Sequence, residues 1–435
     1  MTQPDKAAPL KIAIAGLGTV GVGVVKILEN HKDMIAARTG RRIEIVAVSA
    51  SNRSRDRGVD ISGYDWVDNA LDFARRDDVE IVVELIGGSD GVAKELAQQS
   101  LAQGKSFVTA NKALIAHHGA ELAAVSQDRN VALRFEASVA GGIPIIKSIG
   151  EGLAANRLTK VYGILNGTTN YMLTQMEATG KDYGEILEET KLLGYLEADP
   201  SLDLDGIDAG HKLAILSSVA FGVRTDFENV YMEGIRRIKL VDIEYARELG
   251  YRIKLLGISS LSEQGLEQRV HPCLVPQKTP IAYVDNGFNA VVVEGDSIDR
   301  AFFEGRGAGE GPTASAVVAD IIDIARGHDG AAFFVPVDKM AQARPVSISD
   351  RVGPYYIRLH VEEKPGVIAD ITAALRDEDV SLHVMLQKGS EQDGSVYVIM
   401  VTHDTHEQKV MNALDQINGL SSVIDKALAI RIENL

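Results

Sequence analysis

Apolar and polar positions change rhythm along the chain, and the changes mark out regions. Over the first 140 residues, short and nearly continuous apolar runs alternate with longer segments of helical period. The runs are LKIAIAG (10–16), IEIVAVSA (43–50), VEIVVELIG (79–87), KSFVTAN (105–111) and VALRFEA (131–137). Between them lie apolar-periodic stretches such as VGVVKILENH (22–31) and GVAKELAQQSLAQG (91–104). Strands that are apolar on both faces and alternate with helices predict a parallel sheet covered on both sides. From Gly141 to Val337 the pattern becomes a mixture of strands and helices with glycine-rich turns. The stretch MAQARPVSISDRVGP (340–354) is polar, broken by prolines, and reads as a linker.

The tail has its own period. YYIRLHVEE (355–363), SLHVMLQKG (381–389), SVYVIMVTHD (395–404) and VIDKALAIRIE (423–433) read as strands. GVIADITAALRDED (366–379) and HEQKVMNALDQI (406–417) read as helices. That βαββαβ order predicts an antiparallel sheet with two helices on one face. The expected organisation is a nucleotide-binding unit at 1–140, a central α+β unit at 141–337, a linker at 338–354 and a small unit at 355–435.

Composition narrows the function. The chain has 435 residues, 45% of them hydrophobic, and a net charge of −16. With no basic patch and 5% aromatic residues, nucleic acid and anionic membranes are poor partners. A single cysteine, Cys273, excludes an intramolecular disulfide and a Cys-rich metal site, and reads as a small core residue. No apolar run reaches the roughly 18–20 residues that span a bilayer, and no targeting segment is evident, so a cytoplasmic protein is expected.

The first strand runs into Gly16-Leu17-Gly18-Thr19-Val20-Gly21, a G-x-G-x-x-G turn that opens a helix. Such a turn suits a Rossmann-type doubly wound sheet: one glycine for the tight turn, one for approach of a pyrophosphate, one for helix–strand packing. The end of the second strand, AVSASNRSRDR, lacks a carboxylate for a ribose 2′-hydroxyl and offers Arg53 for a 2′-phosphate. NADP is therefore expected ahead of NAD.

A dinucleotide that carries hydride calls for a positioned acid–base group wherever a proton moves with the hydride. Asp208 and Lys212 stand four apart on a predicted helix, and Glu197, Asp199, Asp203 and Asp205 crowd its approach. Spacing alone fits a plain surface salt bridge equally well. The apolar segment that follows, LAILSSVAF, argues for a buried helix, where a charge needs a partner or a task. Lys112, in TANK, falls at the carboxyl edge of the sheet, and Lys105 reads as an ordinary surface charge. Thr168, Thr169 and Asn170 stabilise a turn, the adjacent His117 and His118 make a poor metal pair, and His211 faces away from Lys212.

Four strings, VTANKALIAHHG (108–119), FEASVAGGIPII (135–146), GILNGTTNYML (163–173) and LGYLEADPSLDLDGIDAGHKLAIL (193–216), give the chain from Leu10 to Val337 a resemblance to monofunctional homoserine dehydrogenases. The tail, with VEEKPGVIADI (361–371), resembles an ACT domain. The resemblance implies reversible NAD(P)-dependent interconversion of L-homoserine and L-aspartate 4-semialdehyde in threonine, methionine and isoleucine biosynthesis. It implies that Lys212 acts on the reacting oxygen, that Asp208 shares the proton relay, and that Glu197 and Asp203 hold the substrate ammonium. Lys112 would contact cofactor or substrate. A helix near 311–327 would return to the nucleotide unit, with Gly309 and Glu310 near the nicotinamide. A sodium ion would be held by main-chain oxygens of Val139, Gly141 and Ile143, beside Glu136. L-threonine would inhibit by binding near Gly366, Val367 and Ile368, and the assembly would be a homodimer or homotetramer. Two other readings keep the glycine motif: a dehydrogenase of another amino-acid semialdehyde, and a non-catalytic sensor of NADP and amino acids.

Overall fold

A computed structural model describes residues 8–196, 199–328, 330–388 and 394–435. In the N-terminal unit, β1 (Leu10–Ala15) leads through the glycine turn into α1 (Thr19–Asn30) and α2 (Lys32–Thr39). There follow β2 (Ile43–Ser49), β3 (Asp65–Trp66), β4 (Ile81–Glu84), α3 (Val92–Ala102), β5 (Ser106–Thr109), α4 (Lys112–Arg129) and β6 (Leu133–Arg134). The strands form one sheet in the order β3-β2-β1-β4-β5-β6, parallel at every pairing. This order reverses direction beside β1, and ligands of doubly wound sheets bind at the crevice where that happens. Ile12, Ile14, Val82 and Val83 are inaccessible to solvent, as strands covered on both faces require.

The central unit contains α5 (Ile145–Lys147), β7 (Leu158–Ile164), α6 (Gly167–Thr179), α7 (Tyr183–Leu192), α8 (Ser201–Leu204) and α9 (Ile207–Phe221). It continues through β8 (Tyr231–Met232), α10 (Leu240–Glu248), β9 (Tyr251–Ser262), β10 (Gly265–Pro276), β11 (Phe288–Gly295) and β12 (Asp299–Arg306). Next, α11 (Glu310–Arg326) returns to pack on α1, close to the span expected from sequence.

The C-terminal unit comprises β13 (Val352–Gly353), β14 (Tyr355–Glu362), α12 (Val367–Asp377), β15 (Leu382–Gln387), β16 (Ser395–Thr402), β17 (Thr405–His406), α13 (Glu407–Asn418) and β18 (Val423–Ile432). Its main sheet runs β18-β14-β16-β15 with antiparallel neighbours. Residues of α12 and α13 such as Ile371, Leu375, Val410 and Ile417 fill one face of it.

Sequence gave no sign of how the two sheets meet. β10 pairs in parallel with β18 through Cys273 with Arg431 and Leu274 with Ile432, so central and C-terminal strands form one ten-stranded sheet. Buried ion pairs reinforce the seam. Arg358 pairs with Asp242, Tyr356 donates to the same carboxylate at 3.0 Å, and Arg269 donates to Glu433 at 2.6 Å. The stretch expected as a linker is strapped down: Leu266 N–H donates to the Arg344 carbonyl at 2.8 Å, and Val346 N–H donates to that of Leu266 at 2.9 Å. Lys105 also differs from expectation. It is buried, and its ammonium donates to the carbonyls of Arg76 and Val79, closing the end of the sheet.

Candidate active site

The glycine turn has the geometry its chemistry asks for. Gly16 adopts φ +104, and a side chain there would meet the Leu85 carbonyl at 2.4 Å. A Cβ on Gly21 would lie 2.1 Å from the Gly16 carbonyl, so only glycine lets α1 start this close to the strand. Gly18, by contrast, faces open space. The first helical bond runs from Val22 N–H to the Gly18 carbonyl, which leaves the N–H groups of Thr19, Val20 and Gly21 in the first turn without a partner along the helix. Such a terminus favours an anion.

A cavity of about 560 Å³ opens here, lined by Gly16, Leu17, Gly18, Ser51, Arg55 and Arg57 among others. Its position and donor set fit a dinucleotide. Arg53, the arginine singled out from sequence, and Arg57 lie 5.8 and 5.6 Å from the Trp66 ring, and of these two Arg57 lines the cavity. The loop doubles back on itself, with Arg57 donating to the carbonyls of Asn52 and Arg55. Glu84 was also missed. Fully buried at the end of β4, it accepts from Ile86 N–H, Gly87 N–H and the Thr109 hydroxyl, fixing the loops on either side of the crevice.

Beyond the carboxyl edge of β5, Asn111 caps α4 by accepting from Leu114 N–H at 3.1 Å, so Lys112 is the first helical residue. That placement brings Lys112 Nζ to 2.9 Å from Asp208 Oδ1. Asp208 lies in the first turn of α9, and its Oδ2 accepts from Lys212 Nζ at 2.7 Å. Asp208 is buried and Lys212 partly so, and Lys212 also donates to the Leu165 carbonyl at 2.8 Å. Burial would push the Asp208 carboxyl up, but the Lys212 and Lys112 ammonium groups outweigh it and hold the carboxyl below the usual carboxylate range.

Asn166 completes the cluster. Its amide donates to Asp208 Oδ2 at 2.9 Å and to Asp203 Oδ1 at 2.7 Å. Burial pushes the Asp203 carboxyl up, against the pull of that hydrogen bond. Glu197 lies outside the described residues. His211 turns away from the pair onto Phe227, with ring centroids 4.2 Å apart, and burial pushes its pKa down to about 4. His118 lies 3.1 Å from Asp90, while His117 packs on Phe227, so the two histidines do point apart.

At the start of α11, Glu310 pairs with Lys26 of α1 at 2.7 Å, and Gly309 immediately precedes the helix. Glu136 is buried. Its two carboxylate oxygens accept from Ile146 N–H and Lys147 N–H, each at 2.9 Å, and its own N–H donates to Asp320 of α11 at 2.8 Å. Burial and the neighbouring Asp320 push the Glu136 carboxyl up to about 7, and burial pushes Asp320 up to about 6. The Ile143 carbonyl accepts from Ile145 N–H at 2.7 Å.

In the C-terminal unit, Gly366 precedes α12, and a hollow of about 140 Å³ is lined by Glu363, Lys364, Pro365, Val367 and Ile368. Cys273 is buried in the seam, where its sulfur lies 3.2 Å from His271 Nδ1. Its side chain, His271 and Glu433 converge closely enough for a metal ion, but Arg269 supplies the positive charge there, reaching Glu433 and His271.

Comparison with known proteins agrees with this geometry. Residues 144–322 match the homoserine dehydrogenase family, residues 16–136 match the homoserine dehydrogenase NAD-binding domain, and residues 355–419 match the ACT domain. The homoserine dehydrogenase of Neisseria gonorrhoeae is 42% identical, over 98% of this chain and 99% of its own. That of Pseudomonas aeruginosa is 41% identical over the same shares. Among solved structures, a homoserine dehydrogenase from Thiobacillus denitrificans superposes with a TM-score of 0.92 at 43% identity, covering 98% of this chain and 99% of that one. A hyperthermophilic archaeal homoserine dehydrogenase in complex with NADPH superposes with a TM-score of 0.63 at 26% identity, covering 72% of this chain and 97% of that one. A Rossmann-type unit whose glycine turn faces an open crevice, a central unit that meets it through Lys112 and Asp208, and a C-terminal ACT domain thus place this chain in the homoserine dehydrogenase family of NAD(P)-dependent oxidoreductases.

Proposed function

We propose that this chain interconverts L-homoserine and L-aspartate 4-semialdehyde, with Lys212 and Asp208 as its proton-transfer machinery. The observation that carries the reading is Asp208, a buried carboxylate shared between Lys112 of the nucleotide unit and Lys212 of its own helix. A bound nicotinamide dinucleotide supplies the hydride acceptor or donor. In reduction, the Lys212 ammonium donates a proton to the carbonyl oxygen as hydride reaches the carbon. In oxidation, the Lys212 amine takes the hydroxyl proton. Asp208 and the Leu165 carbonyl fix the direction of the Nζ protons. Asp203 and Glu197 serve as carboxylates for the substrate ammonium.

Arg55 and Arg57 support NADP over NAD, since they supply positive charge beyond β2 where a 2′-phosphate would lie. A sodium ion on the carbonyls of Val139, Gly141 and Ile143 is a finer part of the proposal. A cation there would return the buried Glu136 carboxyl to its charged form. So is inhibition by L-threonine at the Gly366–Ile368 corner, where the hollow borders the start of α12. A homodimer or homotetramer is the assembly we expect.

The test is NADP reduction with L-homoserine, followed by absorbance, in the wild type and in Lys212→Ala. Loss of one acid–base group predicts a fall in kcat of roughly 10²–10⁴-fold with NADP affinity retained. Undiminished turnover in the variant removes Lys212 from proton transfer. A wild type that binds NADP but turns over no homoserine favours the sensor reading.

A further inference from the structure

Asn166 is a neutral side chain that touches both Asp203 and Asp208. It ends the strand–turn segment from β7 and caps α6, its Oδ1 accepting from Thr169 N–H at 2.9 Å and from the Thr169 hydroxyl at 3.0 Å. Its two amide protons go to Asp203 and Asp208. Both amide protons and the carboxamide oxygen are thereby engaged, and the amide has only one workable orientation. The flipped amide would aim its oxygen at two carboxylates and its protons at a peptide N–H. The side chain is buried, so these bonds do not exchange freely with water. The preceding residue, Leu165, offers its carbonyl to Lys212 at 2.8 Å, so two consecutive residues orient three members of the cluster.

We propose that Asn166 is a positioning residue for this reaction: one carboxamide clamps Asp203 and Asp208 at fixed separation, keeping the substrate-ammonium end of the site in register with its proton-transfer end. The inference rests on the roles proposed above for Asp203, Asp208 and Lys212. Two acidic side chains this close repel each other, and an amide that donates to both offsets the repulsion without adding charge. Asp203 faces Asp208, Lys212 and Lys112, and the Asn166 hydrogen bond is the largest influence holding its carboxyl down against burial. The rest of the asparagine's work is helix capping, which serine and aspartate perform comparably well. Clamp and cap can therefore be separated by substitution.

The experiment compares Asn166→Ser and Asn166→Asp with the wild type, by steady-state kinetics against pH and by thermal unfolding. Serine keeps the cap acceptor and loses both amide protons. Aspartate keeps the cap acceptor and the size but turns the donor into a third acceptor. We expect kcat/KM for homoserine to fall roughly ten- to a hundredfold in Asn166→Ser, the range for a lost hydrogen bond to a charged group, and further in Asn166→Asp. KM for NADP should stay within about twofold, as expected when the cofactor makes no contact with the changed group. The acid limb of the kcat/KM profile should move to higher pH, because a carboxylate that loses a donor binds its proton more tightly. A role in capping alone would leave that limb where it is. Wild-type kcat/KM and an unmoved acid limb in either folded variant overturn the clamp. If Lys212→Ala is inactive while Asn166→Ser behaves as wild type, only the clamp fails. If Lys212→Ala is fully active, the proton-transfer assignment beneath it fails.

Discussion

Where the central unit meets the nucleotide unit at the site, side chains make the contact: His117 packs on Phe227, and Lys112 reaches Asp208 near an open crevice. Where it meets the C-terminal unit, the main chain itself is shared, β10 pairing with β18 in one sheet and Arg358 buried against Asp242. A side-chain contact at a crevice edge can break and re-form as ligands enter and leave. A continuous sheet cannot open without exposing unpaired peptide groups and uncompensated charge. The difference teaches that an event at the C-terminal unit would reach the centre as displacement of strands and of α10, since Asp242, the partner of Arg358, lies in that helix.

Three substitutions test that contrast, and the largest effect is expected at the crevice. Asp208→Ala leaves Lys112 and Lys212 facing each other without their shared carboxylate, and kcat/KM should fall roughly 10²–10⁴-fold. Steady-state rates with homoserine check this, and a variant within threefold of wild type would contradict a working role for the contact. At the seam, Arg358→Ala leaves Asp242 buried and unpaired, a change that costs about 3–5 kcal/mol. Denaturant unfolding should show that loss, while cofactor affinity stays unchanged. A shift below about 1 kcal/mol, the scale of an exposed ion pair, would mean that the seam is not welded.

The smallest effect concerns Glu136 and Asp320, which tie the turn at 136–147 to α11. Their carboxyls are raised to about 7 and about 6 from ordinary values of 4.5 and 3.8. A raised carboxyl contributes stability that is complete below its ordinary value and is lost as pH rises through the raised one. The pair therefore contributes most to stability below about pH 4 and least above about pH 7. His211 acts with opposite sign over part of this window, its pKa lying at about 4. The clean readout is thus the difference in Tm between Glu136→Gln and wild type in sodium-free buffer, which should shift in favour of the variant by a few degrees between about pH 5 and 7.5. A difference that does not change with pH would sink the assignment.

Much of the nucleotide unit and of the tail was legible because local physics dictates both. Five apolar runs became parallel strands, and the βαββαβ alternation of the tail appeared with nearly the expected limits. The Asp208–Lys212 pair was legible as spacing, but spacing could not distinguish a surface salt bridge from a buried one. Asn166 escaped notice because asparagine before a helix reads as a cap, which it also is. A sequence shows that one loop carries Arg53, Arg55 and Arg57 but not how that loop doubles back, so their placement around the cavity needed the fold.

By itself the sequence determined the periodicities, the glycines that permit a crevice and the residue types able to move a proton, since these depend on neighbours within a few positions. The tertiary structure decided that Lys112 and Asp208, ninety-six positions apart, share an ion pair, and that strands from separate units share a sheet. Both depend on how whole elements pack. Hydrophobic burial drives that packing without direction, and the hydrogen bonds and charges it encloses can then be satisfied in only a few arrangements.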